Sequence, residues 1–408
     1  MEKKEYRQLL SQRQYIQLLL ADTINRFGDS IDVIAYSWIM YEITGSASLM
    51  ALVVGLNFVP TVFLTPFAGA FVDRISKKRV MALADLLRFV FVAAIVTLYT
   101  TGLLSPALIV VFTSTVEAFR LPAGGAILPQ LLEKEYYTLG KAANYSVSRI
   151  SGLVGYMLAG GVIALIGAVG ALWIDAATFL ISSAIIWSIR YKENLQGAKQ
   201  TVKGVIQDFA EGFRFICASR TIQTVSLIGL LINFGIMPLT VFQTPYVSDY
   251  LKMGPETLSY IKILTSIGMI TGSALLPKLG KIKTPVIAVA AGVIMGTALI
   301  EMSIAQSLST PVLKMGILTL SMLSIGFGGG LLNVVIGSSV MKAVPKEMMG
   351  RISGFLTAMM QASMPVASFI CSALAVYFHI PHILVFFGSL TLICSLALYF
   401  RKKLDALS

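Results

Sequence analysis

Charge is what this chain has least of. Asp, Glu, Lys and Arg make up 13% of its 408 residues, about half of the ~25% found in an average soluble protein. With 56% hydrophobic residues and a mean hydropathy of +0.81, it cannot cover a water-facing surface, which excludes a soluble enzyme or soluble binding domain. Histidine is nearly absent. The two present, His379 and His382, flank Pro381 in a short turn, and without a third ligand they make a poor zinc site. The three cysteines, Cys217, Cys371 and Cys394, lie in or beside apolar segments, where thiols act as small hydrophobes and build no disulfide framework. There is no Gly-Lys-Ser/Thr phosphate loop, so nothing supports direct coupling to ATP or another cofactor. No cleavable leader is expected either. The first apolar segment is long and lacks a small-residue cleavage site, so it reads as an uncleaved anchor.

What the chain does have is long apolar runs. A membrane span needs roughly 20 such residues, and twelve candidates occur, over 14–42, 47–72, 79–101, 106–131, 140–166, 168–190, 220–248, 256–278, 284–304, 312–342, 350–377 and 380–400. The net charge of +12 raises the possibility of nucleic acid, but the basic residues sit in short loops between apolar runs. Twenty-five of the 32 Lys and Arg residues fall in the termini, the 2–3, 4–5, 8–9 and 10–11 loops and the central loop. The opposite loops hold at most Lys252, Lys262 and Lys314. The positive-inside rule then places both termini in the cytoplasm. The fold class is an all-α polytopic membrane protein.

The longest polar interval, 191–219, separates residues 1–190 from 220–408, a linker between two six-helix bundles. Within it, 201–217 is amphipathic, with Val205, Phe209, Phe213 and Ile216 on one side. It reads equally as a helix lying on the membrane surface or as a solvated linker helix. The halves echo each other. Ile24-Asn25-Arg26-Phe27-Gly28 resembles Ile232-Asn233-Phe234-Gly235, and Lys134-Glu135 before Gly140-Lys141 is matched by Lys346-Glu347 before Gly350-Arg351. Parallel six-helix repeats are one known transporter plan.

The 2–3 loop carries the most specific motif, Gly69 through Asp73-Arg74 to Lys77-Lys78-Arg79. It resembles the Gly-x-x-x-Asp-Arg-x-Gly-Arg-Arg signature of the major facilitator superfamily, with Ser76 where that family usually has glycine. Pro277, Lys278, Gly280 and Lys281 form a worn copy in the second half. Gly28-Asp29, Thr44-Gly45-Ser46, Ala84-Asp85, Arg88, Leu121-Pro122-Ala123, Leu128-Pro129, Ile174-Asp175-Ala176 and Gly350-Arg351 extend the resemblance to the bacterial drug-exporter branch of macrolide-efflux and enterobactin-exporter proteins. It covers nearly the whole chain. It implies twelve transmembrane helices in two pseudo-symmetric bundles and a multi-pass place in a bacterial cytoplasmic membrane. It also implies a gate locked by Asp73 and Arg74 in the outward-open state. Gly155, Gly160 and Gly161 keep the glycines of the antiporter motif of span 5 without its proline. Arg120, four residues before Gly124, occupies a place comparable to the span-4 arginine of drug antiporters.

The first span carries a stripe that lipid does not tolerate alone. Asp22, Asn25, Asp29, Asp32 and Tyr36 recur at helical spacing, with Arg26 at the edge, and charges at membrane depth face a bundle interior or a wet cavity. At 1.5 Å per residue, Asp22 lies roughly 12 Å into the span and Asp29 and Asp32 roughly 22–27 Å along it. Arg26 is read as an ion-pair partner of Asp22 and Asp29; Asp29 and Asp32 are the working candidates for the proton, with Asp32 preferred because Arg26 could hold Asp29 ionised. Asp85–Arg88 and Glu117–Arg120 are spaced as i,i+3 pairs, and Arg149 is a further intramembrane cation. Within its spans the second half has Glu301 in span 9 and little else in the way of charge, with Asn233 and Asn333 as polar groups. Its expected lining is Met237, Phe242, Phe327, Met341, Met359, Met360 and Met364, a wall suited to variable amphipathic ligands. Together with the resemblance, these residues point to a proton-coupled exporter of amphipathic organic compounds, expected as a monomer with protons, substrate and membrane lipids as its partners. A lysophospholipid carrier of the same superfamily is the alternative, and a non-transporting receptor or scaffold a third.

Overall fold

Lipid supplies no hydrophobic drive between helices and no partners for backbone polar groups, so every spanning segment must satisfy its own hydrogen bonds. The computed structural model describes residues 8–72, 75–103, 106–190, 214–276, 284–344 and 349–400, and these residues are all-α, without a strand. The helices are α1 Arg13–Thr44, α2 Ala47–Val72, α3 Lys77–Thr100, α4 Pro106–Leu131, α5 Tyr137–Ser188, α6 Arg220–Pro245, α7 Glu256–Leu275, α8 Thr284–Ala305, α9 Pro311–Ala343, α10 Met349–Gln361, α11 Ser363–Tyr377 and α12 Ile380–Phe400. Among the described residues, nine helices are long and apolar enough to cross a membrane. The acid-bearing α1 is not one of the nine.

Two glycines set the breaks. Gly45 (φ 55) ends α1, and Gly167 (φ 74) splits α5 into two arms at the junction expected between 140–166 and 168–190. Neither position has a neighbour that a side chain would meet; it is the left-handed backbone that calls for glycine there. The expected span 350–377 is also divided, with α10 and α11 meeting at Ala362. Lys262, placed by the sequence among the outer loops, lies inside α7, and Lys314 lies inside α9. The amphipathic stretch of the linker, apart from residues 214–217, falls outside the described residues, as do Asp73 and Arg74 of the 2–3 loop and residues 277–283 of its copy.

The described residues form two compact units, one within 1–43 and 59–200, the other within 44–58 and 201–408. In the first, α3 packs along α5 and α4. Ser76 begins α3 as its N-cap, its hydroxyl accepting from the Arg79 amide at 3.3 Å. Serine in place of the family's glycine therefore adds a cap. In the second unit, α9 packs on α7 and α8, α8 on α12, and α11 on α6. Residues 44–58 join this unit through Ser48, which donates to the Ser372 carbonyl at 2.8 Å, and through Ser368, which donates to the Ala51 carbonyl at 2.5 Å.

The α7–α9 contact is made by backbones. A side chain at Gly326 would collide with the Thr265 carbonyl, one at Gly330 with the Met269 carbonyl, and one at Gly272 with the Phe327 carbonyl. Small residues at this spacing let helices approach until main chains touch, which is how packing replaces hydrophobic drive in lipid. Gly316 of the same α9 meets nothing within 4 Å. Gly326→Ala should therefore lower the thermal midpoint of the purified protein, by the equivalent of about 1–3 kcal/mol for overpacking. Gly316→Ala should leave it unchanged or slightly higher. Equal midpoints for the two variants would refute a backbone seam.

Candidate functional site

The polar stripe of α1 faces α3, α4 and both arms of α5, and its acids fall into three layers along the helix. The first layer centres on Asp85, which is fully buried. Its carboxylate accepts from Arg120 Nε at 2.5 Å, from Ser182 Oγ at 2.6 Å and from Asn25 Nδ2 at 3.1 Å. Arg120 reaches on to Asp22 at 3.2 Å, and Asn144 donates to the other Asp22 oxygen at 3.0 Å. One network thus ties α1, α3, α4 and the two arms of α5. Each charge in it has a hydrogen-bonded partner, the condition under which buried ions are tolerated.

The second layer is Asp29. It holds Arg88 of α3 at 2.6 Å and, more loosely, Arg26 of its own helix at 3.6 Å. The Arg88 guanidinium lies over the Phe179 ring at 3.9 Å, close enough for a cation–π contact in a desolvated place. The third layer is Asp32 with Asp175, the latter from the second arm of α5. Asp32 is 8% exposed and Asp175 fully buried. Neither forms an ion pair with a described Lys or Arg. The Tyr36 hydroxyl, one turn further along α1, is buried without a hydrogen-bond partner among the described residues. Gly28 admits Asp175 to this place, since a side chain at Gly28 would strike the Thr178 hydroxyl and an Asp175 oxygen.

Several sequence-based pairings are corrected. Arg88 binds Asp29 instead of Asp85, Arg120 binds Asp85 and Asp22 instead of Glu117, and Asp22 takes Arg120 instead of Arg26. Neighbours at i,i+3 compete poorly with a partner on another helix when both groups must leave lipid together. Arg26 is instead half-exposed. Glu117 and Arg149 are exposed as well, Arg149 lying over the Tyr145 ring at 5.1 Å. In the second unit Asn233 donates to the Met360 carbonyl at 3.2 Å, Glu301 accepts from Ser321 at 3.4 Å, and Asn333 is exposed. Met237 and Phe242 are fully buried core residues, not part of a wall, and Met341 is exposed. Of the loop motif, Lys77 is buried at the start of α3, Lys78 lies 6.0 Å from the Trp187 ring, and Arg79 is exposed. Gly69 lies within α2.

Asn144 and Ser182 were not among the sequence's candidates, and Asp175 was named there only within the Ile174-Asp175-Ala176 motif, without a site role. A signal existed for the first. Asn144, Ser148 and Ser151 recur on one face of α5, and Ser151 donates to the Thr23 carbonyl of α1 at 2.7 Å. Removing one partner of a buried pair strands the other. Arg120→Met should therefore cost roughly 3–5 kcal/mol, read as a large fall in thermal midpoint. The half-exposed Arg26→Met should cost less than about 1 kcal/mol. Similar losses for both would contradict the central role of Arg120.

The arrangement can hold and move charge inside an all-α membrane unit, and its relatives are transporters. The chain matches the family model "Major Facilitator Superfamily" over residues 18–368. It is 24% identical over 364 residues to the multidrug efflux pump Tap of Mycobacterium tuberculosis, covering 86% of this chain and 84% of that one. It is 25% identical over 366 residues to macrolide efflux protein A of Streptococcus pyogenes, covering 86% and 87%. Among solved structures, the nucleoside transporter NupG shares its fold with a TM-score of 0.72 at 16% identity, covering 95% of this chain and 98% of that one. A bacterial homolog of the human lysosomal transporter Spinster does so with a TM-score of 0.71 at 13% identity, covering 96% of each chain. This chain belongs to the major facilitator superfamily.

Proposed function

We propose that the protein is a proton-coupled exporter of amphipathic organic compounds, working by alternating access in a bacterial cytoplasmic membrane. Twelve spans in two six-helix bundles, with both termini in the cytoplasm, follow from the apolar runs and the uneven distribution of Lys and Arg. The substrate class rests on the relatives named for multidrug and macrolide efflux. The observation that carries the coupling is the division of the α1 acids. Asp29 is held between two guanidinium groups, whereas Asp32 is buried without an ion-pair partner among the described residues.

A buried carboxylate with no cation is costly when ionised and cheap when protonated, so proton binding at Asp32 changes the energy of the conformations that expose or bury it. In this cycle substrate enters from the cytoplasm or inner leaflet while Asp32 is deprotonated. Protonation from outside then favours release and resetting. A ligand or proton shifts such an equilibrium only by its differential affinity for the two states, and burial of Asp32 supplies that difference. Asp73 and Arg74 serve as gate residues in this reading.

The test is uptake of a labelled macrolide into inverted membrane vesicles with an imposed pH gradient. Wild-type protein should accumulate it only while the gradient stands, and Asp29→Asn/Asp32→Asn should fall to the level of vesicles lacking the protein. Unchanged gradient-driven uptake by the double variant would falsify the coupling. Movement of a lysophospholipid without any gradient, with no macrolide uptake, would favour the lipid-carrier alternative.

A further inference from the structure

The layer that the ion pairs leave out is a pair of acids. Thr178, the nearest hydroxyl on the same helix, donates to the Asp175 backbone carbonyl at 2.7 Å. Neither side-chain oxygen of Asp175 has a hydrogen-bond donor among the described residues. Asp175 Oδ1 lies 2.6 Å from where a side chain at Gly28 would start, and Asp32 stands one turn further along α1 from Gly28, so the two carboxyls share one place between the helices. An ionised carboxylate only accepts, so a hydrogen bond between two carboxyls requires that one of them carry a proton. Two carboxylates this close and out of water do not both stay ionised. The surroundings do not supply a cation to change this. Arg88 is within electrostatic range of both acids but is bonded to Asp29 at 2.6 Å. The other groups in range are Asp29 and Tyr36 on α1, Glu117 on α4 and Tyr156 on the first arm of α5, all four uncharged or acidic and none a donor of positive charge.

We propose that Asp32 and Asp175 together form one proton-binding site, a carboxyl pair that holds a single proton in the hydrogen bond between α1 and the second arm of α5. Uptake converts two carboxylates into one hydrogen-bonded acid–carboxylate pair, with the proton arriving at Asp32, which is 8% exposed where Asp175 is fully buried. Release returns the proton to water by the same atom and leaves two facing negative charges. Repulsion between those charges loosens the contact between α1 and the second arm of α5, so the bond between these helices is itself the proton-sensitive element. The titration belongs to the pair and to neither residue alone. This inference rests on the proton-coupling reading only for its role in transport, and the site can be tested without it.

The experiment is infrared difference spectroscopy of the purified full-length protein through a pH titration, following the carbonyl stretch of a protonated carboxylic acid. The wild type should show one such band that bleaches as pH rises, and both Asp32→Asn and Asp175→Asn should abolish it, because the new amide donates to the remaining carboxylate. A band that survives in Asp175→Asn would place the proton on Asp32 alone and overturn the pair. A band that survives in Asp32→Asn would place it on Asp175 alone and do the same. Should Asp175→Asn fail to fold, Asp32→Asn with Asp175→Glu, in which the carboxyl is displaced, tests the same bond. No band in the wild type, with a rise in thermal midpoint on adding sodium, would overturn the proton assignment in favour of a cation between the two acids. A band that behaves as expected in a protein without gradient-driven macrolide uptake would keep the pair and remove the exporter reading.

Discussion

The first unit depends on the bridge between Arg120 and Asp85. Taking such ions out of water costs several kcal/mol each, and the attraction between them offsets this only with good geometry and further hydrogen bonds. Asp85 meets both conditions, accepting from Arg120, Ser182 and Asn25. In lipid, where apolar contact alone gives helices no reason to associate, this network fixes the register of α1 against α3, α4 and both arms of α5. The layers beyond it follow from that register. Once Asp22 and Asp85 share Arg120, Arg88 is left to Asp29, and Asp32 has no ion-pair partner among the described residues.

The second unit answers the same demand with shape. Its α7 and α9 touch through glycines, carbonyl against main chain, and its core takes Met237 and Phe242 that an amphipathic wall would have exposed. The two solutions sit on a common plan. Gly28 opposes Thr178 across α1 and α5, and Gly235 opposes Thr391 across α6 and α12. Three residues before each threonine stand Asp175 in one unit and Gly388 in the other. The repeat therefore keeps the close approach and changes its chemistry, and Asp175 stands where the other unit has no side chain at all.

Most of the helical plan was legible because bilayer thickness and turn glycines are local constraints. The run lengths gave boundaries that the helices reproduce closely, and Gly167 falls between two of them. The α1 stripe was legible for the same reason, since helical spacing shows in the sequence. Its partners were not. Arg88 lies 59 residues from Asp29, and Arg120 lies 98 from Asp22, so spacing favoured the wrong i,i+3 neighbours. Asp175 carried no local signal, being one acid in an apolar run whose meaning comes from the missing side chain at Gly28. The role of Ser76 was hidden similarly, because a departure from a family motif becomes a helix cap only when the helix start is known.

The length of those separations bears on how the protein is made. Helix α1 emerges before α3, α4 and α5, yet it is poorly able to remain alone in lipid, with Asp22, Arg26, Asp29 and Asp32 along its stripe. Its cations Arg88 and Arg120 follow 59 and 98 residues after the acids they bind, and Asn144 follows 122 residues after Asp22. At ~5–20 residues per second of synthesis, α1 waits roughly 5–20 s for Arg120. During that interval it needs shelter at the insertion machinery or a shallow, partly wet position at the membrane surface. The charged stripe thus makes the order of synthesis a constraint on the protein's birth.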